Sequence, residues 1–245
     1  MKKLRIGVIG TGRIGRLHAN NLVSSVKDAD VVAVSDMNLP AAREVAEALQ
    51  IPACYADYHE ILNDPTIDAV FICSSTDTHS VISMEAARAG KHIFCEKPFA
   101  LDAGEAVEMV EACRKAKVTL MVGHIMHFYH GIARVQAMIQ EGFFGDILTM
   151  HIERTGWEQK KPEVSWKKMQ EKSGGHLFHH IHEIDIMQWI MGGPTEMYGA
   201  GGNLGHRSAE FGDEDDVLLL TASFGGNAFA TLQYGSGFRV GNHFI

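Results

Sequence analysis

The sequence predicts an α/β protein: a doubly wound parallel sheet followed by an α+β domain with an open antiparallel sheet. Three observations carry this. Short apolar runs alternate with helix-period segments as far as Val122, and a glycine-rich turn follows the first run. From about residue 124, strand-like runs follow one another with fewer helices between them. The expected division is residues 1–123 and 124–245. The last strand-like run ends close to Ile245 with no closing helix, so the second domain is expected to be incomplete at its C-terminus.

Leu4 to Ile9 reads as the first strand, and Ile14, Leu17 and Leu22 mark a helix after it. Val31 to Ser35 is a second strand. Pro40 to Leu49 is a helix, with Ala42, Val45, Ala46 and Leu49 at helical spacing. Asp68 to Cys73 is a strand after the turn signal Asn63-Asp64-Pro65. A helix from about Thr78 ends at Gly90, and His92 to Cys95 is the next strand. Asp102 and Glu105 have capping-box spacing, and Thr119 to Val122 is a further strand. Beyond Gly123 a helix near Ile132 to Glu141 precedes a strand near Asp146 to Arg154. One helix is expected from Ser173 to Met191, stopped by Gly192-Gly193-Pro194. Three strand-like runs end the chain. Two of them, Val217 to Phe224 and Ala228 to Tyr234, flank the hairpin signal Gly225-Gly226-Asn227.

The turn Gly10-Thr11-Gly12-Arg13-Ile14-Gly15 fits GxGxxG between a strand and a helix, the context of a Rossmann dinucleotide site. The first glycine permits the tight turn, the second lets backbone approach a pyrophosphate, and the third allows close packing. The helix N-terminus offers N–H groups and the positive end of its dipole. Asp36 ends the second strand, where a carboxylate can bind the ribose hydroxyls and repel a 2′-phosphate. That favours NAD over NADP. The competing reading of Asp36 is a loop cap.

Composition removes other classes. A net charge of −8 opposes binding to nucleic acid or an anionic membrane, and no apolar run reaches the length of a membrane span. The four cysteines, Cys54, Cys73, Cys95 and Cys113, form no CxxC pair and read as reduced thiols of a cytoplasmic protein.

The segment Ala89-Gly90-Lys91-His92-Ile93-Phe94-Cys95-Glu96-Lys97-Pro98 resembles the glucose–fructose oxidoreductase, inositol dehydrogenase and rhizopine catabolism (Gfo/Idh/MocA) family. So do GTGRIGRLHANNL at the N-terminus, Cys73 to His79, Gly123-His124, and Ser173-Gly174-Gly175 leading to His182 and Asp185. The resemblance implies hydride transfer between a nicotinamide and a secondary hydroxyl, with homo-oligomers formed through the C-terminal sheet. It implies that Lys97 and His182 are catalytic and that Lys97-Pro98 is a cis peptide. It places Gly10, Gly12, Arg13, Ile14, Asp36, Ser74, Ser75, His79, Glu96, Lys97 and His124 at the cofactor. Without it, Lys97 reads as a surface lysine and His182 as a packed helix histidine.

Oxidising an alcohol needs a base for the hydroxyl proton and a positive neighbour for the developing alkoxide. A histidine suits the first role and Lys97 the second. The family's aspartate four residues before the catalytic histidine is absent. Phe178 stands there, beside His179, so the base is expected to be His182 or His179. His176, His179 and His180 share a helical face by spacing, and eight of the 14 histidines lie between His124 and His182. The cluster reads as sugar-binding in preference to packing or metal ligation, because imidazoles both donate and accept hydrogen bonds. The expected substrate contacts are His180, His176, Trp157 and Arg154, with no metal. His127 stands about where many members carry arginine, which weakens the case for an anionic substrate. Asp185 could orient His182 or pair with an arginine, and Trp189 reads as core. The expected substrate is a neutral sugar, cyclitol or glycoside. Two alternatives stay open: an NAD(P)-binding regulator without turnover, and a closed-cycle enzyme with tightly bound NAD.

Overall fold

The computed structural model describes residues 3–159, 163–179, 181–206, 212–239, 241 and 243–244. The chain forms two compact units, Met1–Gly123 and His124–Ile245.

The first unit holds strands β1 (Leu4–Ile9), β2 (Ala29–Ser35), β3 (Ala53–Tyr55), β4 (Ala69–Ile72), β5 (His92–Cys95) and β6 (Leu120–Val122). Their order is β3-β2-β1-β4-β5-β6, and every pairing is parallel. The helices are α1 (Arg13–Ser25), α2 (Leu39–Leu49), α3 (His59–Asn63), α4 (Thr76–Arg88) and α5 (Ala103–Ala116). Two apolar clusters cover the sheet. One joins Ile6, Val8 and Val34 to Ala19 and Leu22 of α1 and Val45 of α2. The other joins Val32, Val70 and Ile72 to Ile61 of α3, Ile82 of α4 and Met109 of α5. Parallel strands buried on both faces carry continuous apolar runs, as β2 does. The strand order reverses between β1 and β4. That places a crevice at the carboxyl ends of β1 and β4, where α/β sheets bind ligands.

Local signals set the helix ends. Asp102 Oδ1 accepts the Glu105 N–H at 2.9 Å, while Glu105 Oε2 accepts the Leu101 N–H at 3.0 Å, a capping box displaced by one residue at its return bond. β3 and α3 have no counterpart among the expected elements. At three and five residues they are too short to show a period.

The second unit holds α6 (His130–Gln140), β7 (Thr149–Thr155), α7 (Gln170–Ser173), α8 (His176–His179), α9 (His182–Met191), β8 (Glu196–Gly202), β9 (Val217–Phe224), β10 (Ala228–Gly235) and β11 (His243–Phe244). The sheet order is β11-β7-β10-β9-β8. The β9–β10 hairpin turns at Gly225–Asn227, with Gly226 at φ 76° and Asn227 at φ 63°, as its Gly-Gly-Asn sequence requires.

Two expectations need correction here. The sheet is mixed, because β7 pairs with β10 in parallel while its other pairings are antiparallel. The helical stretch between β7 and β8 supplies the crossover that a parallel neighbour needs. Where a single helix is expected from Ser173 to Met191, α7 ends at Ser173 and α8 and α9 follow. Gly174 and Gly175 adopt φ of 77° and 89°, which ends α7 and re-aims the chain into α8. Ile152, Leu220, Ala230, Leu232 and Tyr234 of the sheet bury against Met187 of α9.

Among the described residues no helix is long and apolar enough to cross a membrane.

Candidate functional site

The GxGxxG turn forms an open cradle at the head of α1. Gly10 has φ 89°, and a Cβ there would lie 2.8 Å from the Cys73 carbonyl and the Ser74 nitrogen. Gly12 is the N-cap of α1, no side chain caps that end, and a Cβ on Gly12 would meet nothing within 4 Å. The first-turn N–H groups, those of Arg13 and Ile14 included, are therefore left for an anion. Arg13 is exposed and Ile14 half-buried. Asp36 follows β2. Its Oδ2 accepts the Thr11 N–H at 2.7 Å and lies 3.0 Å from Thr11 Oγ1, and its Oδ1 accepts the Asn38 N–H at 2.9 Å. These bonds fix the carboxylate against the glycine turn and still leave acceptor capacity for a ribose diol. A dinucleotide fits this donor set: uncapped amides for the pyrophosphate and a fixed carboxylate for the ribose. Asp36→Ser is expected to raise the kcat/KM ratio of NADP over NAD about tenfold, by removing like-charge repulsion. Initial rates with both cofactors check this.

β4 and β5 bring the remaining first-unit residues to the same sheet edge. Thr78 Oγ1 lies 2.7 Å from both Ser74 Oγ and Ser75 O, tying the loop after β4 to the first turn of α4. Ser75 is the N-cap of α4. His79, expected at the cofactor, is 1% exposed. Its Nδ1 donates to Pro98 O at 2.8 Å, and its Nε2 lies 3.2 Å from Ser74 O. Burial lowers its pKa, so near pH 7 the ring is neutral and donates from one nitrogen, tying α4 to the Pro98 carbonyl. His79 thus packs beside Ser74 and Pro98 and does not face open solvent. The Lys97–Pro98 peptide is cis. Glu96 Oε2 accepts the Lys97 N–H at 3.0 Å, and Glu96 Oε1 accepts from His18 Nε2 at 2.7 Å. Burial would raise the Glu96 pKa, but hydrogen bonds and charge from His18 and Lys97 outweigh it and hold the carboxyl below its ordinary value. His18 lies within the GTGRIGRLHANNL segment but is not among the expected site residues; that segment and its place on the inner side of α1 could have singled it out.

His124, His127 and His182 lie together with Asp185 and Trp189. The His124 ring is 6.3 Å from that of His127 and 6.4 Å, edge-on, from that of His182. His127 Nε2 donates to Asp185 Oδ2 at 2.8 Å, and His124 Nδ1 lies 3.4 Å from the same oxygen. Asp185 thus contacts two histidines that lie outside its own helix. Trp189, read as core, stacks on His127 at 3.9 Å between centroids. The two rings are nearly parallel, and this stacking fixes the ring that Asp185 grips.

His176 is not with this group. It is 4% exposed, its Nδ1 is 3.2 Å from Glu214 Oε1, and its ring packs on Tyr234. Glu214 also bonds Lys168, which bridges to Glu158. His176, expected at substrate, lies inside a buried polar network, where its imidazole is one of the partners a buried carboxylate needs. The expected helical face of His176, His179 and His180 cannot be followed further, since His180 and the His179 side chain lie outside the described residues. Among the described residues, no group of three or more His, Cys, Asp or Glu is placed to hold a metal ion.

Arg154 on β7 directs Nη1 to Glu183 Oε1 at 2.7 Å, and Glu183 is 1% exposed. The guanidinium expected at substrate is engaged in neutralising a buried carboxylate on α9. Arg154→Met should cost about 2 kcal/mol in urea denaturation, less than a fully buried pair because the arginine is partly exposed. Trp157 is 45% exposed, with its ring 4.5 Å from His206 and the Arg239 guanidinium 5.9 Å from its centroid. His206 Nδ1 donates to Asp216 Oδ2 at 2.8 Å. Asp216 is buried, which would raise its pKa, but N–H bonds from Leu204, His206 and Gly205 lower it on balance.

Comparison with known proteins follows the same two-part division. Residues 4–124 match the NAD-binding Rossmann domain of the Gfo/Idh/MocA oxidoreductase family, and residues 136–245 match its C-terminal alpha/beta domain. The 2,7-anhydro-N-acetylneuraminate hydratase of Mediterraneibacter gnavus is 37% identical over 100% of this chain and 65% of its own length. The myo-inositol 2-dehydrogenase of Thermotoga maritima is 36% identical over 89% of this chain and 64% of its own. The crystal structure of a probable dehydrogenase from Thermotoga maritima superposes with a TM-score of 0.83 at 33% identity, covering 96% of this chain and 69% of that one. The chain thus spans slightly less than two thirds of the length of these two curated relatives. With both of its domain models matched over most of the sequence, the chain belongs to the Gfo/Idh/MocA oxidoreductase family.

Proposed function

We propose that the full-length protein is an NAD-dependent oxidoreductase that moves a hydride between nicotinamide and a secondary hydroxyl of a sugar, cyclitol or glycoside. The observation that carries this reading is the carboxyl edge of the first sheet, where the uncapped α1 cradle, Asp36 and the Glu96-Lys97-Pro98 segment all lie. Bound NAD supplies the hydride acceptor or donor. Lys97 donates a hydrogen bond to the reacting oxygen and offsets the charge that develops there. His182 takes or returns the hydroxyl proton, with His179 as the other candidate base. Asp185, through His127 and His124, orders the imidazoles beside His182. Trp157 offers an exposed aromatic face for a sugar ring.

A second reading has a specific observation in its favour. A relative at 37% identity is named a hydratase. Hydration has no net oxidant, so an NAD-dependent protein that performs it must return the hydride it takes. That matches a closed cycle with retained NAD. It also opens the substrate range to an N-acetylneuraminate derivative, which carries a carboxylate, against the neutral substrate expected from His127.

The test is absorbance at 340 nm, with product chromatography, for full-length protein and NAD⁺ against inositols, neutral glycosides and 2,7-anhydro-N-acetylneuraminate. NADH growing with product supports the dehydrogenase. Product without NADH supports the closed cycle. NAD(H) binding with no product from any compound contradicts both and favours a regulator. The protein is proposed to act in the cytoplasm, where NAD is abundant and its four free cysteines stay reduced. The sheet face opposite the core exposes Tyr198, Leu219 and Phe229, which supports self-association through that sheet.

A further inference from the structure

We propose that His18 on α1 is a positioning residue for Lys97: it clamps the Glu96 carboxylate in one orientation, and Glu96 in turn fixes the backbone from which Lys97 projects. This rests on the proposed role of Lys97 in hydride transfer.

A carboxylate removed from water needs partners for its lone pairs. The Glu96 side chain is 12% exposed and that of His18 is 19% exposed. One carboxylate oxygen takes the His18 ring at 2.7 Å, and the other takes the Lys97 N–H at 3.0 Å. Two phenyl rings pack against the imidazole. It meets Phe94 edge-on at 5.0 Å and Phe71 at 5.7 Å, and those two phenyl rings stack on each other at 4.5 Å. The carboxylate is equally confined on its other side. A Cβ on Gly123, at the end of β6, would come within 3.1 Å of Glu96 Oε1 and of Phe94 Cζ. Helix α1, strands β4 and β5 and the end of β6 therefore converge on one side chain, and that side chain holds the amide of the next residue.

The charged and titratable groups near Glu96 are few. α1 presents His18, and its own segment presents Lys97. The end of β4 presents Cys73, β5 presents Cys95, and α4 presents His79. Gly123, at the end of β6, faces Glu96 Oε1 without a side chain. Burial raises both thiols, and the Glu96 charge adds to that, so they stay neutral. Burial also keeps His79 neutral. The Glu96 carboxylate thus has two cationic or donor partners, and loss of His18 removes the one that reaches Oε1. The effect has a sign. His18 favours the ionised form of Glu96, so removing it makes Glu96 protonate at higher pH. A protonated Glu96 no longer balances the Lys97 charge or holds its amide with an ionised acceptor. Activity that depends on this geometry should then fail at higher pH on its acid side.

The experiment uses full-length wild type, His18→Ala and His18→Gln, with glutamates ¹³C-labelled at the carboxyl and the Glu96 signal assigned through Glu96→Gln. The Glu96 midpoint is expected to rise about one pH unit in His18→Ala and to return toward wild type in His18→Gln, whose side-chain N–H₂ can still donate. The acid limb of kcat/KM should shift by the same amount, with kcat about tenfold lower at pH 7 and the NADH Kd within about twofold. If alanine does not fold, His18→Asn, polar but too short to reach Oε1, replaces it. An unmoved Glu96 midpoint overturns the proposal. So does a moved midpoint with an unmoved acid limb, or NADH affinity lost in parallel with kcat, which marks a merely structural role. Wild type that turns over no compound contradicts the proposed function itself, and with it the catalytic consequence assigned to His18, whatever the carboxyl titration shows.

Discussion

Lys97→Met should lower kcat by about 10²–10³-fold while leaving the NADH Kd within about threefold. Methionine keeps the length and apolar stem of lysine but has no charge and no donor. The lysine sits immediately before a cis proline, on a segment held by the Glu96 carboxylate and by the His79 ring through Pro98 O. Its backbone position therefore does not depend on its own ammonium, so the substitution isolates the electrostatic contribution. Cofactor affinity should persist, because the α1 amides and Asp36 lie on other segments of the same sheet edge. Stopped-flow turnover and NADH fluorescence titration measure the two quantities. Equal loss of both would show that Lys97 serves binding and not the reaction.

Gly15→Ala is expected to destabilise the first unit by more than about 3 kcal/mol, well beyond an ordinary surface substitution. A Cβ at Gly15 would lie 1.8 Å from the Gly10 carbonyl oxygen and 2.9 Å from its carbon, both backbone atoms. Neither can rotate away as a side chain can. The turn and α1 must separate, and the fit of α1 against the sheet goes with them. Gly12→Ala makes the contrast. Its Cβ meets no protein atom within 4 Å, so its unfolding midpoint should move little. Its NAD affinity should still fall, because the methyl group stands where the backbone meets the pyrophosphate. Thermal unfolding of both variants, followed by NADH titration, separates a glycine needed by the fold from one needed by the ligand.

These two glycines show what is legible in a sequence. The strand–GxGxxG–helix pattern locates both, because the cofactor-binding turn is built from contiguous residues. The same is true of Asp36 at the end of β2 and of the β9–β10 turn, where local backbone demands select the residues. His18 was not legible, because its partner lies 78 residues away and only the β1-β4-β5 adjacency brings them together. The Asp185 contacts with His124 and His127 were missed for the same reason: helical spacing ranks neighbours on α9 but cannot see a side chain arriving from another segment. For His176, spacing and packing carry different information. Its spacing from other histidines suggested a shared ligand face, while burial against Glu214 and Tyr234 decided its place. The parallel β7–β10 pair was hidden because strand order in a sheet follows the crossover, and short helices around Gly174 and Gly175 disguised it as one long helix.

The most direct test of hydride transfer follows the hydrogen itself. Full-length protein with NAD⁺ is mixed with substrate deuterated at its ring carbinol carbons, quenched within one turnover, and the nicotinamide cofactor is weighed by mass spectrometry. Reduced cofactor one mass unit heavier than NADH is the predicted result, and it holds for an open or a closed cycle because both take the carbinol hydrogen. Substrate consumed while the cofactor gains no deuterium at any time in the first turnover would contradict it.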